Sequence, residues 1–257
     1  MAFNAITKAI KLIAVCTVSV AAISVFSQTN GATLPAAQEA ALRKTLAERL
    51  PNFPKIDEII RSPMPGVMEV RVNGTDILYT DPEGNFLILM GGENAGLIDI
   101  KTKRNLTAEK IDKLTAIDFD ALPLKDAFTI VRGNGKRKVA VFEDPQCGYC
   151  KRFERDMQKI DNVTFYMFVY PILGAESNAK SNNIWCSKDR QKAWLDWMVR
   201  DVAPANIACD ASAVQRNVEF GKKHRITGTP TLIFADGSRV PGAIPAAQVE
   251  KFLAEAK

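Results

Sequence analysis

The sequence reads as two domains of different class: an α+β N-terminal domain built on a small antiparallel sheet, then a linker helix and an α/β domain with a helical insertion. Three observations predict this. Short strand-like runs with tight turns fill residues 67–100 beside a single helix. A charged amphipathic segment follows at 107–117. From residue 126 onward the order becomes strand, helix, strand, helices, strand, strand, helix, an α/β layout.

The first 32 residues stand apart. Lys8 and Lys11 are their only charges. Residues 12–26, LIAVCTVSVAAISVF, form an uncharged apolar run, and SQTNGA follows. This is the basic, apolar, small-polar order of a secretory signal peptide spanning 1–32. As a helix the apolar run would reach about 22 Å, short of the roughly 30 Å of a bilayer core. A retained anchor is the competing reading. Cleavage is expected between Ser27 and Ala32. Cys16 lies inside the apolar run after Val15, where a lipid-modified cysteine would follow a small residue, so no lipidation is expected.

Residues 33–103 form the N-terminal domain. Leu42, Leu46 and Leu50 recur at spacing four and predict a helix over 36–50. Strands are expected at 67–72, 77–80, 86–90 and 96–100, separated by Asn73-Gly74, Pro82-Glu83-Gly84 and Gly91-Gly92. One helix on one small sheet is a thin core that gains by oligomerising, so a homodimer through this domain is expected. The plainer alternative is a domain that packs only on its own chain. In the linker, 104–125, Thr107 is the expected cap of the 107–117 helix. Glu109 suits its first turn, and Ile111, Leu114 and Ile117 share a face.

The second domain, 126–257, begins after Pro123. Its strands are expected at 137–143, 163–170, 231–235 and 238–241. One helix starts within the cysteine pair at 147–150 and the last covers 245–256. The helical insert spans about 173–225. The formal net charge is +5. Without Lys8 and Lys11 it falls to about +3, too mild to argue for a nucleic-acid partner.

Export changes the meaning of the cysteines. Without Cys16 there remain Cys147, Cys150, Cys186 and Cys209, an even number that allows three pairings. In FEDPQCGYCKRF, residues 142–153, Cys147 falls at a strand-to-helix turn and Cys150 one turn later. A thiol at a helix N-terminus meets unpaired N–H groups and the positive end of the dipole, which favour its thiolate. Cys147 is thus the candidate nucleophile and Cys150 the candidate resolving thiol; thiol–disulfide exchange needs both roles. Lys151 and Arg152 either add positive potential or point into solvent. A zinc site would need a second short-spaced pair of ligands, and the single histidine, His224, reads as a surface residue near a helix end. No metal and no cofactor beyond the dithiol is expected. An inert staple is disfavoured, because the 147–150 loop is too small to restrict the unfolded chain much. Spacing therefore favours pairing 147–150 and 186–209, the second pair structural, with a regulatory role as its alternative. Pro230 in TGTPT, 227–231, reads by itself as a proline at a strand start.

CGYC, GTPT and the order of elements resemble the thioredoxin fold. FEDPQCGYCKRF, IWCSKDRQKAW at 184–194, VAPANIACD at 202–210, GTPTLIFADG at 228–237 and VPG at 240–242 together resemble the bacterial periplasmic disulfide isomerases of the DsbC type. The resemblance implies a V-shaped homodimer in the periplasm whose thioredoxin arms face a shared uncharged cleft for misfolded, disulfide-containing exported proteins, with chaperone activity. It implies attack by Cys147, resolution by Cys150, and support from Gly148, Tyr149, Thr229 and a cis Pro230. It implies a Cys186–Cys209 structural disulfide and a membrane thiol reductase of the DsbD type that keeps the active pair reduced. Thioredoxin carries a buried acid six residues before its first cysteine; that position is Val141 here, and the nearby acids are Glu143 and Asp144. The related DsbG type has Pro after the first cysteine, where this chain has Gly148. A DsbG-like thiol-protecting reductase and a non-catalytic periplasmic chaperone are the remaining alternatives; a dithiol oxidase of the DsbA type would lack the strand-rich N-terminal region.

Overall fold

The computed structural model describes residues 33–92 and 94–256. The expected signal peptide, its cleavage window and Cys16 lie outside the described residues. The chain forms two compact units that divide between Asn85 and Phe86.

The first unit contains helix α1, Ala36–Arg49, and strands β1, Ile56–Arg61, β2, Met68–Val72, and β3, Asp76–Thr80. Leu42 and Leu46 are buried on one face of α1; Leu50 falls just past its end as the C-cap. Strand β2 pairs antiparallel with both β1 and β3. It buries Met68, Val70 and Val72 in strict alternation, as a strand with one covered face must. Asn73 and Gly74 turn β2 into β3 with left-handed φ values of 51° and 80°, the conformation that an Asn-Gly pair adopts at least cost. Strand β1 was not predicted. Its sequence, IDEIIR, buries only Ile59 fully, so no alternation marks it.

The second unit opens with β4, Phe86–Leu89, β5, Gly96–Asp99, and the two-residue β6, Arg104–Asn105, paired antiparallel in that order. Helix α2 runs Leu106–Thr115. Its cap is Asn105, whose Oδ1 accepts from the Ala108 N–H at 2.9 Å, and not Thr107. The Thr107 hydroxyl instead accepts from the Leu97 N–H at 3.0 Å. Gly96 is required here: with φ 135°, a Cβ would sit 2.8 Å from Asn105 Oδ1 and Thr107 Cβ. Ile111 and Leu114 are exposed, whereas Ile117 leaves the helix and is buried, its N–H donating to the Gly237 carbonyl at 3.0 Å.

The rest of this unit is a five-stranded sheet ordered β11-β10-β8-β9-β7. Its strands are β7, Phe128–Arg132, β8, Arg137–Glu143, β9, Val163–Val169, β10, Thr231–Phe234, and β11, Arg239–Pro241. Only β8 and β9 are parallel; every other pair is antiparallel. Strand β7, like β1 and the two-residue β6, is not among the strands expected from the sequence. It alternates Phe128 and Ile130 inward with Thr129 and Val131 outward. Helix α3, Gly148–Met157, connects the parallel pair, and α7, Ala246–Glu255, ends the fold. The insert is three helices: α4, Ala175–Cys186, α5, Arg190–Arg200, and α6, Ser212–Lys223. Cys186 and Cys209 are disulfide-bonded, with Cα atoms 5.5 Å apart. His224 caps the end of α6, half-buried, and stacks on Phe220 with ring centroids 4.2 Å apart.

Strand β8 sends successive side chains to opposite faces. Val139 and Val141 enter a core with Phe153, Met157, Trp194, Leu232 and Val249. Ala140 and Phe142 enter a second core with Phe168, Tyr170, Val218 and Ile233. Phe142 anchors that second core. It stacks on Phe168 at 4.5 Å and on Phe220 at 5.9 Å, and meets Tyr170 edge-on. Phe142→Ala is therefore expected to destabilise the second unit by about 3–5 kcal/mol. All three tryptophans belong to this unit, so chemical denaturation followed by tryptophan fluorescence measures the loss directly.

Candidate active site

Strand β8 ends at Glu143 and helix α3 begins at Gly148; the four residues between them, with Cys147 as N-cap, are held by one carboxylate. Asp144 is fully buried. It accepts from the Gln146 N–H at 2.7 Å and the Ile172 and Leu173 N–H groups at 2.7 and 3.0 Å. The Ser177 hydroxyl also donates to it. The turn is thereby tied to the loop after β9 and to the first turn of α4. The Asp144 carbonyl accepts from the Cys147 N–H at 3.0 Å. From α5, Trp197 Nε1 donates to the Pro145 carbonyl at 2.6 Å.

Cys147 is the N-cap of α3, and its sulfur accepts from the Cys150 N–H at 3.4 Å. A sulfur in that place satisfies one of the orphan N–H donors of the first turn and sits at the positive end of the helix dipole. The Cys150 thiol donates to it, the Thr229 hydroxyl supports it, and the N–H groups of Cys150 and Tyr149 point toward it; together these outweigh the burial of Cys147, which is 6% exposed, and bring its thiol down to about 5. The Thr229 carbonyl, 3.3 Å away, can accept a proton from the neutral thiol; this single contact favouring the thiol is outnumbered by donors that favour the thiolate. Cys150 has the opposite surroundings. It is fully buried, and burial, the neighbouring Cys147 sulfur and Glu143 all push its thiol far above the ordinary range.

The sequence-named residues converge on this point. Cys147 and Cys150 are both unbonded thiols in this structure. The Thr229–Pro230 peptide is cis, and its carbonyl side faces Cys147. Tyr149 is 62% exposed and lies under the Arg152 guanidinium, 5.0 Å from its ring centre. Gly148 is exposed, and a Cβ there would meet nothing within 4 Å. Lys151 is committed elsewhere: its ammonium sits 3.6 Å above the Trp197 ring and 2.5 Å from Asp201. It braces α3 against α5. Cys186 and Cys209, bonded to each other, belong to the insert and not to this site.

Several participants escaped the sequence reading. In the sequence Asp144 and Glu143 stand out only as nearby acids, Trp194 only as the end of a family-like stretch, and Glu154 not at all. Glu154 is buried beneath the pair and accepts from Trp194 Nε1 at 2.6 Å. The signal was available: Glu143 continues the inward period-two series of Val139 and Val141, and Glu154 stands four residues after Cys150 on one helix face.

The two environments predict very unequal thiols. In the reduced protein, alkylation should label Cys147 alone, with a rate that rises through a midpoint near pH 5 and then levels off, as the thiolate is the nucleophile. Cys150 should stay unlabelled until the fold is opened. Peptide mapping after brief alkylation at a series of pH values checks both; a midpoint in the ordinary thiol range, near 8.5, would contradict this account of the site.

The disulfide bond isomerase protein N-terminal domain family matches residues 33–108. The thioredoxin-like domain family matches residues 124–257. The "Probable thiol:disulfide interchange protein DsbC" of Bordetella parapertussis is 40% identical over 221 residues, which cover 86% of this chain and 76% of that protein. The thiol:disulfide interchange protein DsbC of Escherichia coli is 28% identical over 224 residues, covering 85% and 89%. The crystal structure of a disulfide interchange protein from Neisseria gonorrhoeae superimposes with a TM-score of 0.51 at 40% identity, covering 52% of this chain and 98% of that one. With an N-terminal isomerase domain, a thioredoxin-like domain and relatives of this identity over most of its length, the chain belongs to the DsbC family of thiol:disulfide interchange proteins.

Proposed function

We propose that the protein works in the periplasm as a homodimeric disulfide isomerase and reductase with chaperone activity, using Cys147 to attack and Cys150 to resolve. The observation that carries the roles is the contrast in placement of two buried sulfurs: Cys147 caps the helix start and accepts the Cys150 N–H, whereas Cys150 is fully enclosed one turn further in. The Cys147 thiolate attacks a sulfur of a wrong substrate disulfide. That S–S bond breaks, its electron pair leaves with the second substrate sulfur, and a Cys147–substrate mixed disulfide remains. If a substrate thiolate then attacks the mixed disulfide, a new substrate disulfide forms and the Cys147 thiolate is regenerated, with no net redox change. If Cys150 attacks instead, the Cys147–Cys150 disulfide forms and the substrate leaves reduced by two electrons. A membrane thiol reductase of the DsbD type would return those electrons.

Residues 33–103 serve in this reading as the dimerisation domain, 104–125 as the linker and 126–257 as the catalytic domain. The match of residues 33–108 to an isomerase N-terminal domain supports it. So do the exposed apolar side chains Met64 and Ile77 in the first unit. Two linked sites raise the local concentration of thiolates around one bound chain. Misfolded exported proteins are the substrates that such chemistry serves.

Two experiments test this reading. Cys147→Ser should abolish both insulin reduction and the refolding of a scrambled multi-disulfide protein. Cys150→Ser should instead accumulate mixed disulfides through Cys147, visible as mass adducts. Second, sedimentation of the mature protein should give a dimer, whereas a fragment starting near Asp126 should be a monomer that reduces simple disulfides but isomerises poorly. A monomeric full chain, or a fragment equal to the whole as an isomerase, would defeat the assembly proposal while leaving the cysteine roles intact.

A further inference from the structure

The turn that carries Cys147 is fixed from inside by Asp144 and from outside by one indole. Pro145 has no N–H to offer, and its carbonyl accepts from Trp197 Nε1 at 2.6 Å. Trp197 belongs to α5, on the insert, 52 residues further along the chain. Its ring gathers two more helices. The Lys151 ammonium, from the first turn of α3, lies 3.6 Å from the ring centre, and the Lys180 ammonium, from α4, 4.5 Å. An acid holds each cation there: Asp201 meets Lys151 at 2.5 Å, and Glu176 meets Lys180 at 2.9 Å. Arg155, one turn after Lys151, reaches the same Asp201 at 3.1 Å. Both lysine side chains are only 18% exposed. An ammonium that gives up water for a ring face is held more firmly than one in a surface ion pair. The indole is therefore tied to α3 and α4 as well as to its own helix, with its N–H aimed at one carbonyl.

That carbonyl sets where the cap falls. Only Gln146 stands between Pro145 and Cys147. The Cys147 sulfur reaches the Cys150 N–H at 3.4 Å. A contact of that length has little slack, because hydrogen bonds weaken steeply as distance and angle leave their optimum. A small outward swing of the Pro145–Gln146 peptide is enough to lose it. Among the described residues, the titratable groups that bear on Cys147 are Cys150 from α3 and Glu143 from β8. Lys151 is turned away onto the ring, and Arg152 lies over Tyr149.

We propose that Trp197 is a positioning residue for disulfide exchange: its indole N–H, through the Pro145 carbonyl, holds Cys147 in the helix-capping place where the sulfur meets the N–H groups of α3. The proposal rests on the exchange reading above and adds a residue that acts through the turn, not on the sulfur itself. Without that N–H the Pro145 carbonyl has lost its donor, and the turn must shift to find another. The Cys147 anion then loses part of its support, and the neutral thiol does not. The reduced pair is weakened relative to the Cys147–Cys150 disulfide, so the disulfide becomes a poorer oxidant.

Trp197→Phe keeps a ring beneath both ammoniums and removes the N–H donor. In the full-length variant, the midpoint for alkylation of Cys147 should move upward from about 5. The rate at pH 5 should fall about fivefold while the rate at pH 8 stays within about twofold, since the thiolate is the nucleophile. At equilibrium with glutathione at neutral pH, the Cys147–Cys150 disulfide should be about tenfold harder to reduce, a drop of about 30 mV. Lys180→Gln takes one cation from the ring but keeps the N–H, and its midpoint should stay with the wild type. The wild-type protein decides the matter even if Trp197→Phe fails to fold: in its NMR spectrum the Trp197 indole N–H resonance should move with the Cys147 titration, through a midpoint near 5. A destabilised Trp197→Phe protein with an unchanged midpoint and an unchanged glutathione equilibrium overturns the proposal. So does a Lys180→Gln midpoint that rises as far as that of Trp197→Phe, or an indole resonance that ignores the titration. A wild-type protein whose Cys147 is alkylated but which reduces no disulfide would instead overturn the exchange reading itself.

Discussion

The active end of the molecule depends on the buried carboxylate of Asp144. A strand that runs directly into a helix must reverse direction within a few residues, and its backbone groups need partners while it does so. Asp144 supplies them for three separate segments: its own turn, through the Gln146 N–H, the loop after β9, through Ile172 and Leu173, and α4, through Ser177. The Tyr170 N–H also donates to the Glu143 carbonyl at 2.7 Å, extending the β8–β9 pairing to the base of the turn. With these fixed, Cys147 can only be the residue that caps α3. Neither thiol is positioned by its own contacts alone.

That placement separates two sulfurs that are chemically identical in the sequence. The cap sulfur receives N–H groups and the helix dipole, and its anion is favoured. The sulfur one turn further in is covered by the sheet and faces carboxyls, and its anion is disfavoured. Stabilising the Cys147 thiolate stabilises the reduced pair relative to the disulfide, which makes the disulfide the more ready oxidant and the thiolate a better leaving group. The outer shell sharpens the division. Lys151 and Lys180 both rest on the Trp197 ring, so these cations brace the turn from outside and do not neutralise the thiolate.

Much of this was legible in the sequence, and the gaps have physical causes. Strand β8 was predicted with its bounds correct because Val139, Val141 and Phe142 leave no other reading for a run between turns. Strand β1 was invisible because an edge strand with one fully buried residue, Ile59, has no hydrophobic period to detect. Strand β7 does alternate, but Pro123 and Gly133-Asn134-Gly135 on either side made its neighbourhood read as a connection. The cap of α2 was assigned to Thr107 in place of Asn105 because both are good capping residues two positions apart, and tertiary contact with Leu97 decides between them. At the site, the cysteines and Pro230 were legible as motifs, whereas Asp144, Glu154 and Trp194 act through partners far along the chain, such as the 40-residue separation between Glu154 and Trp194.

Two buried acids, Glu143 and Glu154, beneath the Cys147–Cys150 pair are a structural liability, since well-packed apolar side chains of similar volume usually serve stability as well or better. Their titration also opposes that of the thiolate above them. The folded chain holds the Glu143 proton more tightly than the unfolded chain does, so Glu143 supports the fold at low pH and that support is lost as pH rises through its raised pKa. Cys147 is depressed instead: its contribution to the reduced fold is full above the ordinary thiol range and is lost as pH falls through about 5. The oxidised protein has no Cys147 proton to titrate but keeps both acids. The difference between the stability curves of the two redox forms is thus governed by the thiols, and the curve of the oxidised form by the acids.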